Sequence, residues 1–265
     1  KLVEMGLVKL DQTIDKYFPE YKEAARVTIH HLMSNSSGIP NFELDMDFYE
    51  IFKSDDYLMG LIRLAFDKDL FFEPGTAFYY SVSGFLMLQK IIEIESGLDF
   101  ETFMQKNVFS PIGMNSSGFE SPGKVISNWA YGYQLLGNKI EVAPYVDMRI
   151  AGGGGGMYST AFDLHLWNQA LMNHTVMPKE LTMKMFGEYV RADEENCYGY
   201  GIFTERGHYY GKDRYRYYHT GGGPGVRSLN MIYPEEKIEI IILSNLGDKE
   251  TFINVMEGLQ EILFN

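Results

Sequence analysis

The run Tyr217-Tyr218-His219-Thr220-Gly221-Gly222-Gly223-Pro224-Gly225 gathers more usable chemistry than any other stretch of the chain. A basic ring, a hydroxyl and residues without side chains stand in a row. Glycines let a substrate lie against the backbone and let an N–H point at a developing oxyanion. The aromatic, alternating residues Tyr209-Tyr210 and Arg214-Tyr215-Arg216-Tyr217-Tyr218 precede the run. Val226-Arg227-Ser228-Leu229-Asn230-Met231-Ile232-Tyr233 follows it, and then Lys237-Ile238-Glu239-Ile240-Ile241-Ile242-Leu243. These flanks read as strands, so His-Thr-Gly sits where a strand ends. A polar hairpin loop rich in glycine is the other reading of the same residues.

Other chemistries find less support. His30 and His31 are adjacent and point apart on a helix, which makes them poor joint metal ligands. His165 has no second histidine three or four residues away, and no H-E-x-x-H is present. Five glycines at 152–156 could suggest a phosphate cradle, but Met157-Tyr158 follows where a Lys-Ser/Thr pair would be needed. A close-packed backbone turn is the expectation there. No G-x-S-x-G elbow occurs, which disfavours an α/β-hydrolase.

The elements that must position these residues are bounded by composition. With 265 residues, 45% of them apolar, the chain can bury a substantial core as one large domain or two intimate subdomains. Its 23 basic against 36 acidic side chains give a net charge of −13, which argues against a nucleic-acid partner. The single cysteine, Cys197, excludes an internal disulfide and a Cys-based zinc cluster. No apolar run approaches the ~20 residues of a membrane span. Residues 1–8 (KLVEMGLV) are apolar at helical spacing and read as the last turns of a helix closed near Gly6. With no initiator Met and no cap before it, the chain is expected to be the remainder of a longer protein.

Residues 9–25 read as extended and polar, with Pro19 as a breaker. Thr28 can cap a short helix over residues 29–33 that runs into the turn Ser34-Asn35-Ser36-Ser37-Gly38. Residues 46–66 carry amphipathic spacing, read as two helices split near Ser54. Glu73-Pro74-Gly75-Thr76 is a turn, residues 82–96 a buried helix stopping at Gly97, and Asp99 the cap of a helix through Val108. Short strands follow at 131–134 and 140–142, and Thr160-x-x-Asp163 resembles a capping box opening a helix through Leu171. From Tyr198 the pattern is antiparallel β, sealed by a helix over 251–263. The expectation is one composite α/β (α+β) domain over residues 1–265, with 1–40 and 130–265 as its α/β part and 41–129 mainly helical.

With the elements in place, the chain resembles the serine β-lactamases of class C type, the related penicillin-binding DD-peptidases and the β-lactamase-like esterases. Residues 1–18 (KLVEMGLVKLDQTIDKYF) look like the segment after that family's nucleophile helix. Residues 27–40 (VTIHHLMSNSSGIP) look like its "ITIRHLLTHTSGLP" block. Residues 74–97 are similar to the block carrying a Tyr-x-Asn motif, 153–164 to "GGLVSTAEDL", and 219–228 to the Lys-Thr-Gly strand and following loop. The blocks occur in family order across nearly the whole chain. The resemblance implies a β-lactamase/transpeptidase-like fold, an antiparallel sheet flanked by helices plus a helical subdomain. It also implies that Tyr80, beside Tyr79, is the tyrosine that exchanges a proton with the nucleophilic serine and the leaving group. A tyrosine acts as a base only if nearby cations lower its pKa from about 10. His219 stands at the family's lysine, Thr220 and Gly221 complete that motif, and Gly222 would donate an oxyanion-hole N–H.

The sequence departs from the family pattern at three points. The nucleophile motif Ser-x-x-Lys belongs about ten residues before Lys1 by alignment. The only literal match here, Ser121-Pro122-Gly123-Lys124, holds a Pro-Gly turn that cannot keep Lys124 one helical turn from Ser121. Val82 occupies the place of the motif's asparagine and cannot hydrogen-bond a substrate's acylamino group. His219 replaces lysine, and a partly charged ring anchors a carboxylate less firmly than a permanent cation. The resemblance therefore implies a serine hydrolase acting by acyl transfer on a small molecule or peptide with a reactive carbonyl. No cofactor or metal is implied, an exported or cell-envelope location is, and the 265-residue chain alone would be inactive. The alternative is a catalytically silent module that binds peptidoglycan-like peptides or β-lactams.

Overall fold

Residues 1–42 and 48–265 are described by the computed structural model of the chain. Start and stop signals delimit the first helices. Thr28 opens α1 (Ile29–Met33): its hydroxyl accepts from the His31 amide, and the His31 ring accepts from the Thr28 amide. Helices α2 (Tyr49–Phe52) and α3 (Tyr57–Arg63) divide around Ser54 as expected, while positions 46 and 47 of that segment lie outside the described residues. The longer α4 (Val82–Ser96) starts at Ser81, whose hydroxyl accepts from the Gly84 amide, and stops at Gly97. Asp99 caps α5 (Phe100–Met104). That helix does not end at Val108: it widens into a π-helical turn (Gln105–Phe109) and continues as α6 (Ser110–Ile112), closed at Gly113. Pro111 lies just past the π-helical turn, and its missing N–H interrupts the i→i−4 ladder there.

The extended segment expected over 9–25 is instead a succession of tight turns. Tyr17 bonds back to Ile14, Tyr21 to Phe18 and Ala24 to Tyr21. Apolar side chains at 14, 17, 18, 21 and 24 share one face at this spacing and are buried, while Pro19 prevents one continuous helix. Their partners are Leu32, Ile39, Leu61, Ile62, Leu86, Met87 and Ile91, in one hydrophobic core. Residues 1–40, expected with the α/β part, contribute to one core with residues of α3 and α4 in the helical part.

Small elements lead from this core to the main sheet. They are β1 (Gly118–Phe119), the hairpin β2 (Tyr133–Leu136) and β3 (Lys139–Val142), β4 (Met157–Tyr158), α7 (Ala161–Met172) and α8 (Lys179–Met185). Thr160 caps α7, but the Asp163 carboxylate turns away to accept from the Ser116 amide and the Ser117 hydroxyl. The capping box is therefore one-sided. The glycine run at 152–156 is a close-packed turn against α4: Gly153 N–H reaches Gln89, and a Cβ on Gly152 would lie 2.5 Å from that side chain.

The main sheet is an antiparallel meander of β5 (Val190–Arg191), β6 (Asn196–Tyr198), β7 (Phe203–Tyr209), β8 (Lys212–Gly223), β9 (Val226–Tyr233) and β10 (Ile238–Ser244), neighbours in space as in sequence. Period-two alternation gives it two dressed faces. Leu229, Met231 and Tyr233 meet Phe252 of the C-terminal helix α9 (Lys249–Phe264). Asn230 and Glu239 face the other way and bond Asn168 of α7. This is the antiparallel sheet flanked by helices that the sequence implies. No helix among the described residues is long and apolar enough to cross a membrane.

Candidate active site

Strand β8 outruns its neighbour. Strand β7 begins at Phe203, opposite Tyr218, so residues 219–223 of β8 pair only with β9. The two-residue turn Tyr210-Gly211 makes Tyr209 and Lys212 the closing pair of the β7–β8 hairpin. Alternation along an antiparallel ladder then turns odd-numbered N–H groups of β8 toward β9. The N–H groups of Thr220 and Gly222 consequently point past the end of β7. The glycine run is strand, not the loop of the alternative reading; the turn itself is Pro224-Gly225. A Cβ on Gly221 would lie 2.2 Å from Ser228 Oγ, and one on Gly222 2.4 Å from Arg227 Nη1.

Tyr80 arrives from the helical part. It is the last residue but one before α4, and two asparagines given no site role in the sequence reading hold it there. Asn35, in the left-handed region at φ 53°, accepts the Tyr79 amide on its backbone oxygen and the Ser81 amide on Oδ1. Asn41 donates Nδ2 to the Tyr80 carbonyl and accepts the Val82 and Ser83 amides on Oδ1. Asn tolerates positive φ better than most residues, which was the one local signal at Asn35. Tyr79 stacks edge-on against Phe71, and Tyr80 is the tyrosine that faces His219. Their ring centroids are 5.8 Å apart at 44°.

Around His219 lie the rings of Tyr80, Tyr198 and Phe203. Its Nδ1 donates to the Thr220 carbonyl at 2.7 Å, and its Nε2 meets the Tyr198 hydroxyl at 3.2 Å. Burial holds its pKa below the ordinary imidazole value, against the Thr220 bond, so the ring is neutral at pH 7. Burial also raises the Tyr80 phenol, although the residue stays 38% exposed, and no cation among the described residues opposes that rise. Tyr80 is therefore a protonated donor here. Tyr198, on β6, was not among the sequence candidates because it reads as an ordinary buried strand aromatic.

The remaining candidates divide. Thr220, Gly221 and Gly222 line the free end of β8 beside His219. Val82 spends its side chain on packing against Gly154 and the helical core. Ser121 and Lys124 close a turn in which the Lys124 amide reaches the Ser121 carbonyl, and the lysine's ammonium pairs with Glu101. Two other concavities, one lined by Lys179, Glu180, Met183, Lys184 and Tyr189, the other by residues 6–9 and 11–13, include neither Tyr80 nor His219. No group of three His, Cys, Asp or Glu side chains able to share a metal occurs among the described residues.

Comparison with known proteins gives a consistent setting for this geometry. The family described as Beta-lactamase matches residues 1–258. Penicillin-binding protein 4* of Bacillus subtilis is 28% identical over 99% of the chain. The chain spans 61% of the length of that relative and 62% of a second, putative penicillin-binding protein PbpX of the same organism. Among solved structures, a penicillin-binding protein from Bacillus halodurans superposes with a TM-score of 0.78 at 26% identity, covering 97% of this chain and 80% of that one.

Proposed function

Because this chain belongs to the Beta-lactamase family, a family of serine hydrolases, we propose that it supplies the tyrosine and the oxyanion-side strand of a serine acyl-transfer site acting on amide, lactam or ester carbonyls. The observation that carries this reading is the approach of Tyr80 to His219 at the unpaired end of β8. The nucleophilic serine and its lysine are assigned to a Ser-x-x-Lys pair other than Ser121 and Lys124, since those two close a turn and the lysine pairs with Glu101.

In that reaction the serine oxygen attacks the carbonyl carbon as its proton passes to the Tyr80–lysine pair. The lysine's positive charge is what would lower the Tyr80 pKa enough for this role. The tetrahedral oxyanion is held by the serine's own N–H and by Gly222 N–H, which points past the end of β7. Collapse expels the leaving group with a proton returned through Tyr80, leaving an acyl-enzyme. Water then attacks the ester and the same groups run in reverse. A catalytically silent binding module is the second reading, favoured by Val82 packed in the core and by a neutral His219.

The test uses the intact protein with a fluorescent penicillin and a p-nitrophenyl ester. A covalent adduct on a single serine is expected, with turnover falling about 10²–10⁴-fold in Tyr80→Phe. Absence of both adduct and turnover in the unaltered protein would favour the silent module.

A further inference from the structure

We propose that the outer edge of β3 is an interface between two copies of this chain. The copies pair antiparallel about a two-fold axis at Ile140 and join their β2–β3 ribbons into one four-stranded sheet. This association is independent of the acyl-transfer reading.

The ribbon is a preformed edge. Its turn is Gly137-Asn138, with Gly137 at φ 60°, and Leu136 and Lys139 form the closing pair. Its foot is tied down. The Tyr133 N–H donates to the Asn245 and Gly225 carbonyls, the Gly247 N–H returns to the Tyr133 carbonyl, and the Ala143 N–H bonds the Gly132 carbonyl. Beyond that foot the two strands pair only with each other among the described residues. A lone two-stranded hairpin is marginal in water, and this one carries an apolar face. Tyr133, Leu135, Ile140 and Val142 share that face by the ladder register. Leu135, Ile140 and Val142 are 44%, 65% and 64% exposed, so nothing in the chain covers it.

The tight turn also decides which backbone groups are free. With Leu136 and Lys139 as the hydrogen-bonded closing pair, the amides of Lys139, Glu141 and Ala143 turn inward, as the 2.9 Å bond from Ala143 to Gly132 requires. The N–H and C=O groups of Ile140 and Val142 therefore turn outward, where they meet no partner among the described residues.

Charge and backbone chemistry select one two-fold register. Outward groups oppose one another antiparallel only when the axis falls on a residue. An axis at Lys139 sets it against the partner's Lys139, and an axis at Glu141 sets it against the partner's Glu141; like charges directly opposite are destabilising. An axis at Val142 sets Ile140 against the partner's Pro144, which has no N–H to give. At Ile140 the two isoleucines exchange both N–H···O bonds, and on each side of the axis Lys139 lies opposite the partner's Glu141. Leu135, Ile140 and their two counterparts then form one apolar row across four strands. Lys139 and Glu141 are exposed and make no ion pair among the described residues. Charges on an edge strand ordinarily repel a second chain; at this Lys-x-Glu spacing they attract a copy of themselves. Four residues a side make a small interface, so the dimer is weak and reversible.

Sedimentation velocity of the intact protein over about a hundredfold range of concentration tests the pairing. A reversible monomer–dimer equilibrium is expected. Glu141→Lys or Lys139→Glu sets like charges opposite and should raise the dissociation constant at least about tenfold. The double exchange, Lys139→Glu with Glu141→Lys, restores opposite charges and should bring it back to within about threefold of the unaltered value. Ile140→Pro deletes an N–H that β2 does not use, so the dimer should be lost while the monomer keeps its circular dichroism and urea midpoint. If Ile140→Pro disturbs the monomer, the charge exchange at exposed positions decides alone. A monomer at every concentration, a dimer that no variant weakens, or a double exchange no tighter than the single changes would overturn the proposal.

Discussion

Single residues in this protein are decided by their neighbours more than by their own chemistry. Glu205 and Arg216 show this in the sheet interior. The carboxylate is 2% exposed and takes two guanidinium nitrogens at 2.8 and 3.1 Å. Burial holds its pKa above the usual carboxylate range although Arg216 pulls the other way. Removing one partner leaves the other charge buried, so Glu205→Gln should destabilise by about 3–5 kcal/mol in urea unfolding. Replacing both, as Glu205→Leu with Arg216→Met, should cost less than the single change; a larger loss would mean the pair contributes net stability. At the candidate site, His219 and Tyr80 were legible as residue types in a familiar pattern. Asn35, Asn41 and Tyr198 were not, because a buried amide or phenol acquires its role only from the groups folded against it.

Elements were legible where capping and periodicity agree. Helix α4 runs from the cap at Ser81 to the stop at Gly97, and the β7–β8 and β8–β9 hairpins turn at Tyr210-Gly211 and Pro224-Gly225. They were misread where tertiary burial overrides local pattern, as in residues 9–25, or where a helix changes pitch without a sequence mark, as in the turn Gln105–Phe109. The β8–β9 hairpin carries a prediction of its own. Gly225 has φ 74°, and a Cβ there would lie 2.5 Å from Ala143 Cβ and 2.6 Å from the Gly132 carbonyl carbon. Gly211, at φ 72°, has nothing within 4 Å. Gly211→Ala should therefore cost only the about 1–2 kcal/mol of a left-handed side chain, and Gly225→Ala clearly more. Equal urea midpoints for the two would show that the tip is not held rigidly against residues 132 and 143.

Across the whole molecule, buried ionisable groups give stability a pH dependence. Burial lowers the pKa of His30, His31 and His219. Unfolded, these rings take up protons near pH 6.5; folded, they do so only at lower pH. The unfolded chain then binds more protons in that interval, and stability falls as pH drops below about 6.5. Glu93, Glu120 and Glu205, held above their ordinary values by burial, work in the opposite direction at lower pH. Urea midpoints at several pH values should thus fall less steeply from pH 7 toward 5.5 in His30→Gln than in the unaltered chain. Identical profiles would show that the His30 ring, edge-on to the stacked Tyr189 and Tyr200, carries no such linkage.

The order of motifs along the chain carried the resemblance to the family and, with it, the expectation of an antiparallel sheet flanked by helices, while spacing and turn chemistry, which are local properties, located the strands and caps. Only the tertiary structure decided which tyrosine faces His219, that the glycines are strand with the Gly222 N–H past the end of β7, and that burial holds the imidazole pKa below its ordinary value. Those outcomes depend on where β7 stops beside β8 and on which buried groups meet around the ring, and contacts between residues far apart in sequence set both.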